Sequence, residues 1–253
     1  MYCEMFQVSR RYVSQASFVK DAHKILLVPL SAEKQYLYYD HGPNAIDKVQ
    51  YLVRLDQWVN SKSHVLWGKM EKSKMSMNVK IVAYVKRLLN TIGWEEESFK
   101  SIPVERHLKE TECVNIYTPE RRFLEPGVLK THIQGLCDTH KTRYRKHMLY
   151  CMVGIPMTLP IALIPVVPNI PCFYLMYRLY CNGKAYYGCK HLQNIISDDS
   201  RHKVVELEDF PTLNPAPEYI DQVVEFTHLS ALKPHLAKAT SQEHIQPSSF
   251  PDH

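Results

Sequence analysis

The sequence predicts a mainly α protein, a small helical domain joined to a proline-punctuated membrane helical hairpin. Three observations predict it. From Met148 to Tyr177 there are 30 consecutive residues without Asp, Glu, Lys, Arg or His. That run is interrupted by Pro156, Pro160, Pro165, Pro168 and Pro171. Upstream of it, apolar residues recur at helical spacing through two long segments.

The uncharged run is the strongest signal. More than about 18 uncharged, mostly apolar residues is the mark of a membrane helix. One straight helix cannot fill it, because each interior proline removes a hydrogen bond and clashes with the turn before it. The expected solution is a hairpin, with one arm over residues 138–159 and the other over 169–196. Pro171 would sit in the first turn of the second arm, where a missing N–H does little harm. Residues 165–171 would form the tip.

The flanks agree with a hairpin. Lys141, Arg143, Arg145 and Lys146 precede the run, and Arg178, Lys184 and Lys190 follow it. Cations at both ends place both ends on one side of a membrane. Two apolar arms within 30 residues are short, since a full span needs about 20 residues. The arms must then include basic residues that snorkel, or the hairpin is re-entrant and its tip is covered by a second copy or a larger complex. No ionisable group lies inside the run. The groups at its rim are Tyr174, Arg178, Lys190 and His191, as ion or proton contacts or as interface anchors.

At the start of the chain, residues 1–22 combine Arg10, Arg11 and Lys20 with serines and few acids, the pattern of a mitochondrial presequence. The soluble domain is expected over 23–126. Residues 24–30 and 36–39 are β-prone and suit a short strand or hairpin, with Pro29 restricting the first run to an edge. Residues 44–70 and 76–92 read as amphipathic helices with apolar stripes for a core. Residues 95–126 read as a connector. Residues 127–147 read as a helix leading into the hairpin region, 127–197. Residues 198–253 return to water, with a helix near 217–233 and a disordered tail from Thr240.

Composition excludes several classes. A hydrophobic content of 45% with 23% charged residues suits one membrane element in a soluble chain, not a polytopic carrier. A net charge of +5 is mild, and nucleic-acid binding would need a dense basic stripe. The seven cysteines form no Cys-x-x-Cys pair and fit a reducing compartment. No catalytic motif, phosphate loop or dinucleotide fingerprint occurs, so neither an enzyme nor a cofactor is expected. The histidines lack metal-site spacing.

The run Gly154-Ile-Pro-Met-Thr-Leu-Pro-Ile-Ala-Leu-Ile-Pro-Val-Val-Pro-Asn-Ile-Pro171, followed by Phe173-Tyr-Leu-Met-Tyr-Arg178 and Gly188-Cys-Lys-His-Leu192, resembles fungal mitochondrial K⁺–H⁺ exchange-related proteins. The opening Lys24-Ile-Leu-Leu-Val-Pro-Leu30 looks like the start of that family. Arg178-Leu179-Tyr180 departs from its usual Arg-Ala-Trp, and Cys189 stands where Ser is common. The resemblance implies an inner-membrane protein with a matrix domain, tied to potassium–proton exchange and matrix volume, as exchanger or accessory. Its implied partners are membrane lipids, potassium and protons. The rival reading is a membrane-anchored tether whose basic stretch, Lys141 to His147, holds a partner such as the mitochondrial ribosome.

Overall fold

The computed structural model describes residues 12–13, 18, 24–31, 33–40, 87, 92–102, 113–125, 127–162, 170–214 and 217–245. The chain divides into two compact units, Met1–Asp40 with Trp94–His253, and His41–Gly93. The two helices expected over 44–70 and 76–92 belong to the second unit and lie almost entirely outside the described residues.

The described strands are β1 (Tyr12–Val13), β2 (Lys24–Pro29), β3 (Gln35–Asp40), β4 (Val114–Thr118) and β5 (His202–Leu207). They form one mixed sheet in the order β1-β5-β4-β2-β3. The helices are α1 (Trp94–Ser101), α2 (Val128–Ala162), α3 (Ile170–Ser197), α4 (Pro217–Thr227) and α5 (Leu232–Ile245). The protein is therefore mixed α/β, which corrects the mainly α expectation. The uncharged run is divided between α2 and α3, which pack against each other. Its share of α2, from Met148 to Ala162, is about 22 Å long, short of the about 30 Å hydrocarbon core of a bilayer. Among the described residues no helix is long and apolar enough to cross a membrane.

The helix pair has a topological role instead. β4 and β5 are parallel neighbours, and parallel strands need a long crossover. α2 and α3 are that crossover. β2 also pairs in parallel with β4, and antiparallel with β3. β2 is thus interior, which corrects the edge assignment. Pro29 is tolerated because the pairing with β4 ends at Leu26, three residues earlier.

Alternation along the strands builds two cores. Ile25, Leu27, Leu37, Val114 and Ile116 face α1, α2 and α3, meeting Phe99, Ile133, Cys189 and Leu192. Leu26, Val28, Tyr36, Tyr117 and Val205 face the other side, meeting Ile220, Val223, Leu232 and Leu236 of α4 and α5. The period of two sends neighbouring apolar residues to opposite layers, so a strand buried on both faces reads as a continuous apolar run. The C-terminal helix expected near 217–233 is two helices, broken at His228, whose φ of 55° ends α4 in the left-handed region. α5 continues to Ile245, beyond the expected start of a disordered tail.

Candidate functional site

The first turn of α1 carries Glu95, Glu96 and Glu97, where the helix dipole favours negative charge. Adjacent helical positions point about 100° apart, and these carboxylates diverge. Glu97 turns to α5, pairing with Lys238 at 2.5 Å and His235 at 3.5 Å. Burial would raise its pKa, but hydrogen bonds from His235 and Lys238 outweigh that and hold it down at about 2. Glu96 turns to α3, where Nη1 of Arg178 donates to both of its oxygens at 2.8 Å.

Glu96 is 5% exposed, and the Arg178 side chain is 14% exposed. Burial works against the Arg178 charge, but Glu96 more than offsets it and keeps the pKa above its ordinary value. The Asn182 amide donates to the Arg178 carbonyl at 2.7 Å, one turn along. From α2, Tyr144, His147 and Cys151 come to the same region. Burial, then Cys189 and Glu96, push the Tyr144 hydroxyl up. Burial, then Arg143 and Arg178, pull His147 down, so His147 is neutral at neutral pH. The Tyr144 hydroxyl is buried and has no hydrogen-bond partner among the described residues. The site is one mostly buried ion pair with Tyr144, His147 and Cys151 of α2 beside it.

The residues expected at the membrane rim do not converge. Arg178 is inside the ion pair, and His191 is buried at 1% exposure. Lys190, next to it, is exposed, and Tyr174 is half-buried. Gly154 lets α2 approach α3, since a Cβ there would meet Leu175 Cδ1 at 3.0 Å. Pro156 is exposed on α2; Pro160 lies in the same helix, and Pro171 in the first turn of α3. Pro165 and Pro168 lie outside the described residues. Of the basic flank, Lys141 bonds Gln193 at 2.8 Å, while Arg143, Arg145 and Lys146 are exposed. A surface pocket of about 270 Å³ is lined by Thr139, Thr142, Arg143, Lys146, His147 and Tyr150.

Sequence reasoning missed Glu96, Asn182 and the packing role of Gly188. A Cβ on Gly188 would lie 2.2 Å from the Phe99 carbonyl oxygen. Only glycine lets α3 pass this close to the end of α1. The three consecutive acids Glu95 to Glu97 and the arginine that ends the apolar run were the available signal for the ion pair.

A sequence model of the family described as mitochondrial K⁺–H⁺ exchange-related matches residues 24–196. That span contains Glu96, Arg178 and Gly188. An uncharacterized protein of Saccharomyces cerevisiae is 30% identical over 216 residues, 75% of this chain and 67% of the relative. An uncharacterized protein of Schizosaccharomyces pombe is 27% identical over 175 residues, 69% of this chain and 75% of the relative. No solved structure matches.

Proposed function

The chain belongs to the mitochondrial K⁺–H⁺ exchange-related family, and from that premise we propose that it acts at the inner mitochondrial membrane as an accessory component of potassium–proton exchange, in the service of matrix cation and volume balance. Membership ties the chain to the mitochondrion and to this exchange. The accessory role is our reading of the site.

The observation that carries it is the Glu96–Arg178 pair. A group that relays protons must change its charge or meet water. Arg178 keeps its charge, because both Glu96 oxygens hold it in a mostly buried geometry where the charged form is favoured. It works as a clamp that fixes α3 to α1 and so to the sheet. Lys190 is exposed and His191 is buried. A rigid helix pair on an α/β sandwich suits contact with a partner better than passage of an ion.

The test is proton flux in proteoliposomes holding only the purified chain under a potassium gradient, with an ionophore control. The expected result is no electroneutral flux. Flux that disappears in Arg178→Ala would make the chain the carrier and overturn the accessory role.

A further inference from the structure

The outer half of α2 exposes what a water-soluble helix would bury. Leu149, Tyr150, Met152, Val153 and Met157 are between 53% and 74% exposed. They occupy successive turns, and Met176 and Tyr180 of α3 add to the apolar surface at the same end. Contiguous exposed apolar surface on this scale marks a contact face. Just before it on α2 stand Arg143, Arg145 and Lys146, all exposed.

Along α2 and α3 themselves the charge on this side has one sign, with Glu95 of α1 near Tyr144 at its inner edge. Residues 139–197 contain no Asp or Glu but seven Lys and Arg. Of these, Arg178 is matched by Glu96, and Lys141 lies 3.8 Å from Asp138. The pocket beside Arg143 and Lys146 has room for a phosphate-sized group, and Thr139 and Thr142 are already turned to backbone carbonyls of their own helix. A basic collar thus sits about 16 Å along the axis from Met157.

We propose that this end of the helix pair docks on an anionic phospholipid surface. The apolar residues reach the boundary of headgroups and acyl chains in one leaflet, and Arg143, Arg145 and Lys146 meet lipid phosphates. The long basic stems lie along the apolar surface while their charges stay with the headgroups. The docked helices enter one leaflet and do not cross the bilayer. A second copy packed in parallel would bring the same cations face to face, and an antiparallel one would leave both collars without anions. A nucleic acid does not fit either, since it has no use for Leu149, Met152, Val153 and Met157. The inference rests on the inner-membrane part of the proposed function.

The experiment is flotation of the purified full chain with two vesicle types, phosphatidylcholine alone and phosphatidylcholine with about a fifth phosphatidylglycerol. Binding is expected only to the second and should weaken with salt. Changing Arg143, Arg145 and Lys146 together to Ala should weaken it about fivefold per residue, or about a hundredfold in all. Leu149→Ser with Val153→Ser and Met157→Ser should weaken it while circular dichroism stays unchanged, since these side chains are exposed. Equal binding to both vesicle types, no binding to either, or binding untouched by both variants overturns the proposal. So does self-association in solution that the serine variant abolishes. A chain that restores potassium-driven swelling to deficient mitochondria but ignores anionic vesicles refutes the docking and leaves the accessory role. A chain that binds vesicles but does not affect swelling refutes the role and leaves the docking surface.

Discussion

The inner and outer halves of the α2–α3 pair obey opposite solvent logic. In the inner half, Ile133, Cys137, Cys189 and Leu192 are buried against the sheet. At the join between the halves, Arg178, an obligate cation, is drawn inside and matched by Glu96. In the outer half the apolar residues face out, and the cations of the collar are displayed. The same two helices are thus an internal brace at one end and a contact surface at the other. The presence of apolar side chains alone cannot tell the two apart, because both halves carry them. What separates them is whether another element of the chain covers the face.

Substitutions can break or sharpen this contrast. The largest effect is expected at the join. Arg178→Ala leaves the Glu96 carboxylate buried without its cation and should cost about 3–5 kcal/mol in denaturant unfolding. Replacing both partners together, Glu96→Leu with Arg178→Met, should be close to neutral, because the penalty lies in the unmatched charge. Equal losses in the single and double variants would show that packing, not charge, sets the cost.

Next is Gly188→Ala. The added Cβ meets the Phe99 carbonyl at 2.2 Å, a clash with backbone that cannot rotate away. It should cost about 2–3 kcal/mol. The matched control is Gly135→Ala on α2, where a Cβ meets nothing within 4 Å. It should be neutral or slightly stabilising, because alanine is the better helix former. Similar effects at both glycines would remove the close approach of α1 and α3 from the account.

A smaller effect is expected on the opposite side of α1. Glu97 has a folded pKa of about 2 against an ordinary 4.5. A depressed carboxylate contributes stability above its unfolded pKa, and this is lost as pH falls through the folded one. Acid titration should therefore lose about 1–2 kcal/mol between about pH 4.5 and 2, reduced from the full shift because the group is partly exposed. Glu97→Gln should flatten that slope. The smallest effect belongs to the outer half, where Met157→Ser should change stability by less than about 0.5 kcal/mol. A large loss there would mean that the face is covered in the folded chain.

How much of the fold and site was legible in the sequence depended on whether an element is specified locally. The helix pair was readable, because proline positions and a long uncharged run are local signals; its arms were expected at 138–159 and 169–196, close to the observed Val128–Ala162 and Ile170–Ser197. Its relation to a membrane was misread: the expected arms reached into the basic flanks, and among the described residues no helix is long and apolar enough to cross a bilayer. The sheet was largely missed. β4 has five residues and β5 has six, and each is defined by a neighbour about ninety positions away. Short strands of a parallel crossover carry little periodicity to read. The Glu96–Arg178 pair was hidden for the same reason, as its partners are 82 residues apart. The acid that matches Arg178 stands on another helix, α1.

The most direct measurement is the swelling rate of mitochondria in potassium acetate, taken without the protein and after returning wild type, Arg178→Ala, or Glu96→Leu with Arg178→Met. The account predicts slow swelling without the protein, recovery with wild type, failure with Arg178→Ala and substantial recovery with the double variant, because the clamp matters for geometry rather than for carrying charge. Swelling that is unchanged by loss of the protein would contradict it, as would a double variant that fails although it folds.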